Sequence, residues 1–293
     1  MSIAQQSTSL ERGLPNEHSA KRVVPDASAV PWSGPARKRS LSARSISLLT
    51  VLVLLLVWAL AAELRVVSPV FLPSPLVVAK KFFVLIDKGY VDATLLVHLK
   101  ASLWRVFSAL LAALALGVPI GLAVGLSPVG RGIFDPLLEF LRPIPPLAYL
   151  PLVIIWFGIG ELSKVLVIAI AMLAPIALSA ASGVRNAGQE KINAARALGA
   201  SRGQVIYHVV LPAALPSILT GLRIALGVGW TTLVAAELIA ATQGLGFMIQ
   251  SAAQFLVTDI VIVGIFVIAA TAFVFEFAIR RIETIFVPWS GEN

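Results

Sequence analysis

Apolar residues form six long runs along this chain, separated by shorter polar segments. The runs lie near residues 46–62, 103–126, 133–157, 165–182, 215–240 and 260–279. An α-helix rises about 1.5 Å per residue, so each run is long enough to cross about 30 Å of hydrocarbon. The pattern predicts an all-α integral membrane protein with about six transmembrane helices.

The composition supports a membrane protein and excludes several kinds of site. Hydrophobic residues make up 58% of the 293 positions and charged residues 13%, against about a quarter charged in soluble domains. The chain has no cysteine, which excludes disulfides, thiol nucleophiles and cysteine-ligated metals. His18, His98 and His208 are widely separated in sequence, so we expect no metal site.

The basic residues indicate how the chain is oriented. Its net charge of +8 could suggest nucleic acid, but the charges stand at span ends, so we expect no nucleic-acid partner. With both termini cytoplasmic, the basic residues that fall inside include Arg131, Arg185, Lys191, Arg196, Arg202, Arg280 and Arg281. This distribution satisfies the positive-inside rule, although the outer segment 63–102 also carries basic residues.

The runs and their flanks divide the chain into four parts. Residues 1–44, rich in Ser, Pro and charge, are predicted to be a disordered cytoplasmic tail. Residues 45–93 would hold the first helix and an outer segment, 94–282 the main membrane domain with an inner loop at 183–214, and 283–293 a C-terminal tail. The first run could be a signal peptide, since Ala59 and Ala61 form an A-x-A-like site. The 45 residues before it favour an uncleaved helix.

The inner loop has local signals for two helices joined by a tight turn. Residues 189–198 are rich in helix formers and are followed by Gly199, the residue type that best tolerates a left-handed conformation. Ser201 and Gln204 match a capping box that would start a second helix, and Pro212 is predicted to end it. The loop could be a docking surface for a partner or an amphipathic connector on the bilayer.

A motif in this loop resembles a known signature. The inner-membrane permeases of bacterial ABC importers carry Glu-Ala-Ala, three residues, Gly, nine residues, Ile, one residue and Leu-Pro. The positions that match in spacing are Asn193, Ala194, Ala195, Gly199, Val209, Leu211 and Pro212. Asn193 replaces the glutamate and Val209 the isoleucine. The resemblance implies that the loop docks on an ATPase.

Other segments resemble one branch of that family, the permeases for nitrate, sulfonates and taurine. They include H98LKASLWR105, the block that begins at Thr220 and, most like the taurine permeases, S68PVFLPSP75. The resemblance implies the type I ABC importer permease fold, an inner-membrane location and taurine or a related sulfonate as cargo, with nitrate as an alternative. The partners it implies are a second permease copy, cytoplasmic ATPases, a periplasmic binding protein and membrane lipid.

The chain shows no phosphate-binding loop of the form G-x-x-x-x-G-K-[ST]. We therefore expect no cofactor and no catalytic residue, with ATP bound and hydrolysed by the partner subunit. An ion-coupled secondary transporter would show an inverted repeat with matching broken helices, and no such self-similarity is visible. A membrane enzyme would need a set of catalytic side chains at membrane depth, where only isolated charges occur.

Charged residues within the apolar runs are candidates for function because they are costly at membrane depth. Glu139 and Arg142 are three apart and are predicted to form a structural pair. Arg223 and Glu237 are 14 apart, roughly 21 Å along a helix and nearly on one face. They are candidate translocation-path residues, with pairing to other residues as the equal alternative.

Small residues and prolines give two further expectations. Glycines or alanines spaced four apart are predicted to be packing ridges that admit a neighbouring backbone. They are Gly117, Gly121 and Gly125 in the second run, and Gly221, Ala225 and Gly229 in the fifth. Four prolines are predicted to interrupt the third run, either beside a transport path or as a packing kink: Pro143, Pro145, Pro146 and Pro151.

Overall fold

The computed structural model describes residues 43–287. Its α-helices are α1 (Ala43–Glu63), α2 (Pro75–Asp87), α3 (Leu95–Leu126), α4 (Pro128–Leu141), α5 (Pro146–Phe157), α6 (Glu161–Asn186), α7 (Gln189–Ala197), α8 (Arg202–Val205), α9 (Leu211–Ala240), α10 (Leu245–Gln254) and α11 (Thr258–Phe286). Almost all of the predicted 1–44 tail, and residues 288–293 of the predicted C-terminal tail, lie outside the described residues. Residues 283–286 belong to α11.

The chain divides into two compact units. The first, Met1–Val51, is described only from residue 43, where α1 begins. The second, Leu52–Asn293, contains the rest of α1 and all the other helices.

The predicted spans are confirmed as helices, and one of them is broken. Within the described residues, five helices are long and apolar enough to cross a membrane: Ser45–Glu63, Leu95–Leu126, Glu161–Asn186, Arg202–Ala240 and Thr258–Ile285. The sixth candidate is the pair α4 and α5, bent by 104°. Pro145 and Pro146 lie at the bend, and a proline lacks the N–H that would continue a helical ladder.

Two short helices were not predicted from the sequence. Helix α2 starts at Pro75 after Ser74, whose side chain accepts a hydrogen bond from the Val77 N–H. Helix α10 follows Gly244. Both are shorter than a span, so a search for long apolar runs passes over them.

The small-residue ridges lie where three helices pack, with α6 between α3 and α9. A Cβ at Gly121 would clash with the backbone of Ala177 and the methyl of Ala180, and one at Gly229 would clash with Met172. The predicted packing role of both ridges is confirmed. Close backbone approach gives van der Waals contact that lipid cannot replace.

Helices α3 and α6 run in one direction and α9 in the other, which defines two ends of this bundle. At the upper end, the starts of α3 and α6 meet the end of α9, as the contacts of Arg105 with Glu161 and Glu237 show. At the lower end, Gly183 of α6 lies against Ala214 of α9.

Candidate functional site

The lower end carries the predicted helix-turn-helix segment. Helix α7 ends at Ala197, and Gly199 follows with φ of +88°. Ser201 and Gln204 form the predicted capping box: the Ser201 hydroxyl accepts from the Gln204 N–H, and the Gln204 side chain accepts from the Ser201 N–H. These three local predictions are confirmed, because each depends only on neighbouring residues.

One side of this segment anchors it and another is open. Ile192 and Val205 are buried in a cluster with Val184 and Ala214, which fixes α7 and α8 against the ends of α6 and α9. Leu198 at the tip is 89% exposed. Asn193 and Ala194 are exposed and Ala195 is half-buried. An apolar tip and small side chains on an exposed helix suit the close approach of another protein.

Pro212 does not end the second helix, contrary to the prediction. A π-helical turn, Ile206–Val210, connects α8 to α9, so the helix continues from Arg202 to Ala240. Pro212 lies in the first turn of α9, where the wider turn before it accommodates the missing N–H. Val209 and Leu211 pack partly buried beside the cluster, and Pro212 is exposed. Helix α8 is therefore continuous with a spanning helix. We call residues 189–212, which are predicted to dock on an ATPase, the docking segment.

The upper end holds a buried network of charged residues centred on Arg105. Its guanidinium donates to Glu237 at 2.6 Å and to both carboxylate oxygens of Glu161 at 2.6 and 2.8 Å. Lys164 donates to Glu161 at 2.7 Å. The side chains of Arg105 and Glu237 are 3% and 0% exposed, whereas that of Glu161 is 56% exposed. Two cations and two anions balance, which keeps burial of these charges from being prohibitive.

The same network holds the segment that connects α9 to α10. The carbonyl of Gln243 accepts from Arg105 at 2.7 Å, and the Gly246 N–H donates to Glu237 at 2.8 Å. The Leu245 N–H donates to the Ser102 hydroxyl, which itself donates to Glu237. We call Ser102, Arg105, Glu161, Lys164 and Glu237 the outer network, after the outward orientation that the basic residues predict for this end. It satisfies backbone groups that would otherwise be unpaired at the start of α10.

His98 adds a further hydrogen bond to the segment that connects α9 to α10. Its Nδ1 accepts from the Gly244 N–H at 3.1 Å, which leaves Nε2 as the donor to the carbonyl of Tyr90 at 3.1 Å. The residue is fully buried. One histidine therefore ties the loop before α3 to the loop before α10.

Arg223, the other candidate path residue, also has internal partners. It forms ion pairs with Glu283 and, at 3.5 Å, with Glu276, both on α11. The structure therefore supplies partners for both Arg223 and Glu237, the alternative that the sequence left open. Their role in a translocation path stays a prediction.

The predicted pair of Glu139 and Arg142 is not formed in the structure. Both side chains are exposed, and neither belongs to an ion pair among the described residues. Arg142 caps α4 with helical backbone angles, and its N–H donates to the carbonyl of Leu138, so the helical spacing is present. Both side chains are exposed, where an ion pair gains too little to hold two mobile side chains together.

Sequence reasoning missed the partners of Glu237. Arg105, Glu161 and Lys164 were not singled out, because their contacts join residues far apart in the chain. The available signal was the position of Arg105 within an apolar run, which predicts a buried partner.

A cavity of about 760 Å³ opens beside the outer network. Lys100, Trp104, Glu161 and Gln243 are among its lining residues. Lys100 is exposed and belongs to no ion pair in the part of the chain that the structure describes. The cavity therefore presents charge of both signs. Among residues 43–287, no group of His, Asp and Glu is arranged to hold a metal ion.

A bundle of apolar spans, with an exposed helix-turn-helix segment at one end and a loop held by buried charges at the other, defines a multi-span integral membrane protein. Residues 117–286 match the family of binding-protein-dependent transport system inner membrane components. The chain belongs to this family and is the permease subunit of an ABC importer, whose partners are a separate ATPase and a binding protein.

Several relatives are known. The taurine transport system permease protein TauC of Escherichia coli K12 is 57% identical over 249 residues, 85% of this chain and 90% of TauC. A putative aliphatic sulfonates transport permease, SsuC of Bacillus subtilis 168, is 37% identical over 83% of this chain and 86% of its own length. The inward-facing MetNI methionine ABC transporter is 20% identical with a TM-score of 0.55, over 71% of this chain and 99% of that chain, and confirms the fold.

Proposed function

We propose that this permease imports taurine or a closely related sulfonate across the bacterial inner membrane, as a homodimer. The observation that carries the proposal is the 57% identity with TauC over nearly the whole length of both chains. The identity with the aliphatic-sulfonate permease is lower, at 37%, which favours taurine over a longer alkanesulfonate.

The orientation that suits this function puts the lower end in the cytoplasm. The α7–α8 segment then faces the ATPase, with Asn193, Ala194, Gly199 and Leu198 on its exposed surface. Because α8 continues into α9, a movement of the ATPase would be transmitted directly to a spanning helix. The upper end then faces the periplasm, where a binding protein delivers its cargo.

Reporter fusions test this orientation. A fusion after Arg281 and one within residues 183–214 should both report a cytoplasmic location, and a fusion within residues 241–258 a periplasmic one. A reversed location for any of the three would contradict the orientation and the number of spans.

The cargo itself is tested by uptake. Taurine is a small zwitterion that cannot cross hydrocarbon unaided, so it needs a hydrated path in which neither charge is held tightly. Cells that depend on this permease should grow on taurine as sole sulfur source and take up labelled taurine. Growth on alkanesulfonates without growth on taurine would overturn the cargo and favour the aliphatic-sulfonate alternative. A partner ATPase unable to hydrolyse ATP is the control.

The path residues are tested in the same assay. We expect Glu237→Gln and Arg223→Gln each to slow taurine uptake while assembly with the ATPase survives. In Glu237→Gln, Arg105 keeps its ion pair with Glu161, so the loss of stability should be smaller than in Arg105→Gln. Glu237 has no exposed surface in the protomer, so its contribution would require the outer network to open. Wild-type uptake in both variants would remove them from the path.

A further inference from the structure

The lower end contains a large basic cavity beside the docking segment. Its volume is about 1090 Å³. Four arginines line it from four different helical segments: Arg131 of α4, Arg185 of α6, Arg196 of α7 and Arg202 of α8. Residues far apart in the chain are thus brought together around one space.

These four arginines have no anionic partner in the part of the chain that the structure describes. The residues that line the cavity include no aspartate or glutamate. None of the four guanidinium groups belongs to an ion pair or a side-chain hydrogen bond within residues 43–287. Like charges that share a cavity repel one another, and a bound anion would relieve that repulsion. Orientation in a membrane explains positive charge at this end, but it does not explain convergence on one cavity.

The cavity shares Ser201 and Arg202 with the docking segment, but its lining does not include Asn193, Ala194 or Leu198. Gln189, Ile192 and Arg196 lie three and four apart, so they form one stripe of α7 that faces the cavity. Ala194 and Ala197, exposed on the same helix, lie on a different side. A partner that contacts α7 through Ala194 and Ala197 therefore leaves Arg196 free for a second ligand.

Helix α4 indicates the level of the cavity relative to lipid. Four large apolar side chains form an exposed stripe along it: Val129, Ile133, Leu137 and Phe140. At 3.6 residues per turn, Arg131 falls on the opposite side, towards the cavity. The bend of 104° between α4 and α5 allows α4 to lie along the membrane surface, with its apolar stripe in the acyl region and Arg131 at the headgroups.

We infer that this cavity binds a tetrahedral oxoanion, held by Arg131, Arg185, Arg196 and Arg202. The guanidinium fork matches the oxygens of a phosphate or sulfonate bidentately. The phosphate of an anionic phospholipid headgroup and free phosphate share this chemistry. A ligand bound there connects α4 to the docking segment.

Binding can be measured on the full-length permease purified with its ATPase in zwitterionic nanodiscs. One arm adds phosphatidylglycerol and counts the molecules retained per complex, and the other titrates radiolabelled inorganic phosphate. The variants are Arg131→Gln, Arg185→Gln and both together, which leave α7 and α8 unchanged. Arg281→Gln is the matched control. Arg281 is a basic residue near the C-terminal end of α11, and it does not line the cavity.

We expect the double variant to lose at least about tenfold in affinity, each single variant less, and Arg281→Gln nothing. Retention of phosphatidylglycerol without binding of inorganic phosphate assigns the site to a lipid headgroup. Binding of phosphate that displaces the lipid assigns it to a free oxoanion as well. Equal binding by wild type and the double variant overturns the inference. So does a double variant that loses only its ATPase, since an acidic protein surface would then occupy the cavity.

Discussion

The outer network and the basic cavity use the same kinds of side chain for different purposes. In the outer network, Arg105 and Lys164 meet Glu161 and Glu237 at 2.6–2.8 Å, and three of these four side chains are nearly inaccessible. In the cavity, four arginines converge without an acidic residue and remain exposed. The charges of the outer network are balanced within the protein. The charges of the cavity would be balanced only by a bound anion.

The difference shows how to interpret a charged residue in a membrane protein. A buried charge that is paired and hydrogen-bonded holds two parts of the chain in one geometry, here α3 and the segment before α10. A group of exposed like charges stabilises nothing by itself and instead selects an anionic partner. Substitutions should therefore affect folding in the first region and binding in the second.

The largest effect is expected for Arg105→Gln. It removes the cation that Glu237 faces and leaves a buried carboxylate without its charged partner, which costs about 3–5 kcal/mol. The thermal unfolding midpoint of the purified protein should fall strongly. Arg105→Gln combined with Glu237→Gln should recover part of the loss, because no buried charge is then unpaired at this position. A single variant as stable as Arg281→Gln would show that the network does not hold the fold.

Gly244→Ala tests the backbone that the network surrounds. Gly244 has φ of +133°, and a Cβ there would clash with the Glu237 carboxylate. We expect a loss of about 2–3 kcal/mol from backbone strain and displacement of that carboxylate. Gly158→Ala is the control: Gly158 has φ of +79° and open space around its Cβ position, so it measures strain alone. Equal losses in the two variants would indicate that Glu237 moves aside freely.

Gly199→Val tests the effect of a side chain at a positive-φ glycine in the docking segment. Gly199 has φ of +88° and nothing within 4 Å of a Cβ, so strain is the only cost, at about 1–2 kcal/mol. Membrane insertion should survive while uptake falls, because α7 tilts relative to α8. Gly203→Ala, in open space without a positive φ, is the control and should retain transport. Normal coupling of ATP hydrolysis to uptake in Gly199→Val would contradict the docking role.

The smallest effect is expected at Glu139 and Arg142. In a double-mutant cycle of Glu139→Gln and Arg142→Gln, the coupling free energy should be close to zero, and each single change should stay within about 0.5 kcal/mol. Thermal unfolding of the four proteins measures it. A coupling above about 1 kcal/mol would show that the predicted pair forms in the membrane after all.

The features predicted correctly depend on neighbours in sequence. Gly199 in a left-handed turn and the Ser201–Gln204 capping box follow from the conformational preferences of a few adjacent residues. The prediction that Pro212 ends a helix was wrong. The rule that proline breaks a helix does not allow for the π-helical turn before Pro212, which lets the helix continue. The predicted pair of Glu139 and Arg142 does not form although the helical spacing is present, because both side chains are exposed and an exposed ion pair gains little.

The sequence by itself determined the membrane spans, the broken third run, the docking segment and the packing ridges, because hydrophobic periodicity, prolines and small residues act locally. Only the tertiary structure decided which charges meet. Arg105 and Glu237 are 132 residues apart, and the four cavity arginines come from four helical segments. Nothing in local sequence specifies such partners. They are brought together by the packing of α6 between α3 and α9, which sets both the buried pairing at one end and the unpaired positive charge at the other.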